Sequence, residues 1–230
     1  MTEDELVAIY PRLWHMAHDG AWPAIRQDGL MSAKALIAAY SVSPAAQTAL
    51  YSQRRPQSVR LEQPGRMGAV LRDQKPMSDA ALLKCLQDGL APRDWYELLN
   101  SRSFFWLSRD RVWRLLGARA YRNVEQTVLT INTATLVDAH RERIWLSPMN
   151  SGSTIQKALP RGASTFSKIE NFPYAARANT RRPAENVVEL LVEDAVPDIL
   201  DHVLAVHRCR NDKILETTWT SAQASSDDHP

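Results

Sequence analysis

The residue in this 230-residue sequence best placed to do chemistry is a carboxylate inside a run of branched aliphatic side chains. In Val187-Val188-Glu189-Leu190-Leu191-Val192, strand alternation puts Glu189 on one face with Val187 and Leu191, and Val188, Leu190 and Val192 on the other. Neither face is written for solvent. Burying an unpaired carboxylate costs several kcal/mol, so Glu189 must be paired, neutralised or open to a cleft, where it can hold or move a proton. An edge strand with Glu189 facing water, paired with an arginine, fits the same pattern. His15 raises a similar question at the other end of the chain. It lies in Leu13-Trp14-His15-Met16-Ala17, an apolar strand-like stretch just before a helix start, where an imidazole is either a hydrogen-bonded core residue or a ligand contact.

Other polar groups are candidates for binding. Of the 28 basic residues, 22 are arginine and 6 lysine; guanidinium is the better fork for phosphate and carboxylate, although a GC-rich genome gives the same bias. Arg54, Arg55, Arg60 and Arg72 compete for a place at a site, and the compact polar cluster Arg72-Asp73-Gln74 favours Arg72. Asn150-Ser151-Gly152-Ser153-Thr154 offers short donors at a turn, with Asn150 and Ser153 suited to a ribose or phosphate, as an ordinary turn also would be. In Arg161-Gly162-Ala163-Ser164-Thr165-Phe166, Arg161 and Phe166 can charge-pair with and stack on an acceptor, including a single-stranded base. There is no glycine-rich dinucleotide fingerprint, phosphate loop or His-Glu-x-x-His helix. Cys85 and Cys209 do not join the six histidines at zinc spacing, so no metal is expected.

These residues need elements to hold them. Thr2 with Glu5 forms a capping-box pattern for a first helix. The strand around His15 leads, through Asp19 as a cap, into a helix carrying Trp22 and Ile25 that Gly29 ends. Helices are predicted over 33–40, 78–90, 92–100 and 108–117, and an exposed loop over 54–68. Phe104-Phe105-Trp106-Leu107 suits a buried strand, and 128–131, 144–146, 187–192 and 203–206 are further β-rich runs. Five to seven short strands with helices mainly in the first half give an α+β domain on an antiparallel or mixed sheet. Residues 1–220 read as one domain; the polar segment 221–230 has no apolar anchor and is expected to be disordered.

Composition is that of an average soluble protein, with 44% hydrophobic and 23% charged residues and a net charge of +2. Disorder, collagen and membrane-span readings are excluded, and so is a disulfide scaffold. No secretory leader pattern stands at the N-terminus, so a cytoplasmic location without a membrane partner is expected.

Taken in order, these segments resemble the ADP-ribosyltransferase superfamily. Leu13-Trp14-His15-Met16-Ala17-His18 with Ala24-Ile25-Arg26-Gln27-Asp28-Gly29-Leu30 looks like the opening of the branch that modifies DNA bases. Phe104 to Leu107 looks like its aromatic strand, and Glu185 to Val206 like the segment carrying its glutamate. Leu71 to Gln74, Trp95 to Asn100 and Leu146 to Ser153 further resemble an uncharacterised bacterial domain family. The resemblance implies a split-sheet cleft that holds NAD as a substrate, without a metal. His15 is then expected on the adenosine-side ribose, backbone at Met16 and Ala17 on the nicotinamide amide, and Phe105 or Trp106 against its ring. It also implies that Glu189 is catalytic, with an arginine, here Arg72, in support, and that the Arg161–Phe166 loop meets the acceptor, a nucleic acid or a protein. Ala17 stands where the superfamily has threonine, so an inactive nucleotide- or partner-binding module and an NAD glycohydrolase remain alternatives.

Overall fold

The computed structural model describes residues 1–155, 158–178 and 181–230. In chain order the elements are α1 (Glu3–Ile9), β1 (Arg12–His18), α2 (Trp22–Asp28), β2 (Leu30–Met31), α3 (Ala33–Ala39), α4 (Pro44–Ser52), β3 (Val59–Gln63), β4 (Arg66–Leu71), α5 (Asp79–Cys85), α6 (Pro92–Asn100), β5 (Arg102–Trp106) and α7 (Arg109–Leu116). There follow β6 (Gln126–Asn132), α8 (Thr133–His140), β7 (Ile144–Ser147), α9 (Tyr174–Ala178), α10 (Pro183–Asn186), β8 (Glu189–Glu193), β9 (Ala195–Val196), β10 (Val203–Arg210) and β11 (Lys213–Thr220). Thr2 starts α1 through the expected capping box, its hydroxyl accepting from Glu5 N while the Glu5 carboxylate accepts from Thr2 N.

One antiparallel sheet organises the molecule, in the order β11-β10-β6-β1-β5-β8-β7. The chain is α+β, and no helix among the described residues is long and apolar enough to cross a membrane. Around β8 both faces of the sheet are covered, which is why the run around Glu189 has no solvent-facing side. Leu190 packs into the main core with Leu13, Phe105, Ile131, Leu6 of α1 and Leu136 of α8. Leu191, pointing the other way, joins Trp95 and Tyr96 of α6, Leu82 of α5 and Phe166. Each fully buried leucine contributes about 2 kcal/mol from its apolar area.

Several expectations are corrected. The region read as an exposed loop over 54–68 is largely the β3–β4 hairpin, turned at Pro64-Gly65 with Gly65 at φ +78. Its apolar signal is short: Leu61 and Leu71 bury against Ile37 and Tyr40 while the charged neighbours stay outside. The helix expected over 78–90 ends at Cys85, because Asp88 and Gly89 take positive φ and turn the chain. Asp19 does not cap α2; its carboxylate is forked by Arg208, whose Nε and Nη2 donate at 2.9 Å each. Residues 221–230, expected to be disordered, fold back on the sheet. Asp228 is buried against Arg12, Trp14 Nε1 donates to the His229 carbonyl at 3.2 Å, and Arg109 Nη2 donates to the Asp227 carbonyl at 2.7 Å.

Candidate active site

The sheet opens between β1 and β5. Against β6, β1 is paired along its length from Arg12 to His18, but against β5 only Trp14 opposite Trp106 is in register. Two side chains take the backbone groups that the missing ladder leaves. His15 Nδ1 lies 2.8 Å from the Phe104 carbonyl, and Arg72 Nη1 donates to the Met16 carbonyl at 2.8 Å. A cleft of about 410 Å³ enters at this gap, with His15, Met16, Ala17, Trp106 and Glu189 in its wall. Gly29 helps to shape the floor: at φ +83, a Cβ there would stand 2.6 Å from Pro197 Cα, so α2 can approach β9 this closely only at a glycine.

A carbonyl only accepts, so the Phe104 contact puts the proton of His15 on Nδ1. Burial and the nearby Arg72 guanidinium hold the imidazole pKa down at about 4, so the ring is neutral at pH 7. Nε2, without a partner among the described residues, is therefore an acceptor for a hydroxyl in the cleft. Phe105 supports this ring from below, with centroids 5.8 Å apart, and is itself fully buried in the core. Of the two aromatic residues expected at the nicotinamide, Trp106 is the one that offers surface to a ligand.

Glu189 sits on the interior strand β8, opposite Trp106 on β5 and Ser147 on β7. The exposed-edge alternative is thereby excluded. The residue is 3% exposed, and Oε2 accepts from Ser151 N at 3.1 Å and from Ser151 Oγ at 2.7 Å. Burial pushes the carboxyl up to about 7, against the Ser151 donors and the Arg111 and Arg161 charges, which favour the anion. A carboxyl poised there can give or take a proton at neutral pH, and among the described residues Oε1 has no hydrogen-bond donor.

The remaining expected residues divide. Arg72 does line the cleft, but on the side of His15, stacked 5.0 Å over the Tyr121 ring; the arginines whose charge acts on Glu189 are Arg111 and Arg161. Of the competing arginines, Arg55 and Arg60 also border the cleft, Arg55 buried and bonded to Leu50, Arg72 and Asn100 and Arg60 paired with Glu62, while Arg54 caps the Lys75 carbonyl. Asn150 reaches the cleft, whereas Ser153 is turned to the Ile155 amide. Arg161 and Phe166 are corrected outright. Both are buried against Trp95, too deep to meet an acceptor, and Arg161 Nη1 donates to the Ser151 carbonyl at 3.0 Å. Ser151 was not legible as a partner of Glu189, although its turn was, and neither was Arg111, whose helix was legible but not the effect of its charge on Glu189.

The match with known families spans this whole arrangement. Residues 11–203, from the start of β1 to the start of β10, match a family of unknown function, DUF7002. The chain belongs to the DUF7002 family. Its matched segment carries both His15 and Glu189, while α1, most of β10, β11 and the final segment lie outside it. No curated protein matches the chain.

One further group of this DUF7002 chain has metal-ligand residue types: His140, Asp198 and His202 converge within 4.8 Å. Arg143 Nη2 stands 2.7 Å from His140 Nδ1, and a guanidinium only donates. Nδ1 must therefore accept, which leaves the proton on Nε2, directed at Asp198 Oδ1 2.8 Å away. A metal needs a lone pair at that nitrogen, so the group works as a hydrogen-bonded tie between α8 and the turn before β10.

Proposed function

We propose that this protein is an NAD-dependent ADP-ribosyltransferase, cleaving the nicotinamide–ribose bond and passing ADP-ribose to a nucleic-acid or protein acceptor. The observation that carries the reading is Glu189: a buried carboxyl in a cleft wall, with one oxygen fixed by Ser151 and its pKa raised to about 7. The split between β1 and β5, with a neutral His15 at the gap, supports it. His15 Nε2 accepts a hydrogen bond from a ribose hydroxyl, and Trp106 stacks on the nicotinamide side. As the C–N bond breaks, its electron pair leaves with nicotinamide and positive charge develops on the ribose. The ionised Glu189 is worth more to that transition state than to the ground state, which is the requirement for catalysis. The nucleophile's oxygen or nitrogen then bonds to the ribose carbon, and its proton passes to Glu189.

One observation favours a binding module instead. Arg72 already occupies the Met16 carbonyl, a backbone group expected to hold the nicotinamide amide. Incubation with NAD, with and without single-stranded DNA, RNA and protein acceptors, separates the readings. Nicotinamide release supports the transferase, free ADP-ribose without a labelled acceptor supports a glycohydrolase, and NAD binding without release under every condition supports the module.

A further inference from the structure

Two different things cover β1 on one face of the sheet. α7 lies over Met16, and over Val128 beside it, through Val112 and Leu116. Arg12 and Trp14 of the same strand, the latter opposite Trp106 across the gap, are instead met by residues 225–230. That segment is held as a peptide ligand would be. The Asp227 carbonyl accepts from Arg109 Nη2 at 2.7 Å, the Asp228 carboxylate pairs with Arg12, and the His229 carbonyl accepts from Trp14 Nε1 at 3.2 Å. Two main-chain carbonyls flanking one carboxylate are thus taken by three side-chain donors. Ser225 fixes the acid in place, its N and Oγ donating to Asp228 at 2.8 and 3.0 Å.

The fit is incomplete. Thr130 stands directly opposite Trp14, and His207 opposite Val128 in the next row, so both side chains point to this face. They are 0% and 6% exposed, yet Thr130 Oγ1 and His207 Nδ1 have no hydrogen-bond partner among the described residues. Neither has Arg109 Nε, on the guanidinium that holds the Asp227 carbonyl. Each buried polar atom left unpaired costs about 1–3 kcal/mol, so a segment that supplied the missing partners would bind here more tightly than residues 225–230 do. Arg12, Trp14, Arg109 and Thr130 all lie in the segment that matches the family, and residues 225–230 lie outside it.

We infer that this groove binds an acidic peptide segment of a partner protein, its aspartate on Arg12 and the flanking carbonyls on Arg109 and Trp14, and that residues 225–230 occupy it as a displaceable resident. Cationic donors suit any anion, but two main-chain carbonyls spaced about one carboxylate are a feature of peptides and not of nucleic acid. Nothing in the inference uses the ADP-ribosyl reading.

The test follows the fluorescence anisotropy of a labelled peptide of residues 221–230 on the full chain and on full-length Asp228→Ala, whose own segment is released. Binding at least about tenfold tighter to the variant than to wild type is expected, because the competitor in the groove is gone. A peptide carrying Asp228→Asn, which leaves the protein untouched, should lose about tenfold or more, as should the native peptide on Asp228→Ala with Arg12→Gln. In a peptide series with residues 229 and 230 replaced in turn by Asp, Glu, Asn and Gln, at least one member should bind about tenfold tighter than the native sequence by pairing Thr130 or His207. The inference is overturned if the peptide binds Asp228→Ala no tighter than wild type, if the Asp228→Asn peptide binds equally well, or if the native sequence is the tightest of the series. Displacement of the peptide by single-stranded DNA more readily than by unlabelled peptide would also overturn it, as would a wild-type dimer that Arg12→Gln abolishes, which makes a second copy the occupant.

Discussion

At the scale of single residues, Glu189 and His15 face the same cleft and carry opposite acid–base penalties. Glu189 is held near 7, above its ordinary range, so the folded state keeps a proton that the unfolded chain gives up; this favours folding below the ordinary carboxylate pKa and fades as pH rises to about 7. His15 is held near 4, below its ordinary range, so its contribution is present above pH 6.5 and is lost as pH falls to about 4. Each is on the order of 3 kcal/mol. Denaturant unfolding across pH should therefore find Glu189→Gln more stable than wild type above pH 7, and His15→Gln less sensitive to acid between pH 6.5 and 4; parallel curves for variants and wild type would contradict these environments. Ser151→Ala removes a donor that favours the carboxylate, so the pH midpoint of turnover should move above that of wild type. A midpoint that stayed or fell would show that Ser151 does not set the acidity of Glu189.

At the scale of elements, the strands around Glu189 and His15 were legible because apolar runs of the right length are local signals. The hairpin β3–β4 and the strand β11 were not, since β11 is exposed except at Trp219, which packs on Trp22, and so shows no alternation. Burial of Arg161 and Phe166 was equally hidden: their loop reads as polar, and only the packing of α6 beneath it shows that Trp95 covers both. Gly29 was legible as a helix stop, but its closeness to Pro197 was not. Gly29→Ala should destabilise the fold by about 2 kcal/mol or more, from positive φ together with backbone overlap, read as a drop in Tm. An unchanged Tm would mean that α2 and β9 do not meet as described. The segment after β11 makes a similar claim. Asp228→Ala frees Arg12 and should loosen the cover over Trp14, giving faster proteolytic clipping after residue 220 and a red-shifted tryptophan emission. Wild-type values for both would return this segment to the disordered state that its composition suggests.

At the scale of the whole molecule, an otherwise continuous antiparallel sheet is interrupted between β1 and β5, and the interruption places a neutral imidazole and a protonatable carboxyl in one cleft wall. The α+β class followed from element types alone. The split did not, because it depends on Arg72, 56 residues from the Met16 carbonyl it binds, and on a histidine that replaces a backbone donor. We propose that this gap is where Glu189 breaks the nicotinamide–ribose bond of NAD. The most direct test is nicotinamide release by wild type and by folded Glu189→Gln across pH 5–9. Release by wild type should rise through about pH 7 as Glu189 ionises, and should fall by about a hundredfold or more in the variant. Equal release by the two proteins, or a rate that falls as pH rises through 7, would contradict it.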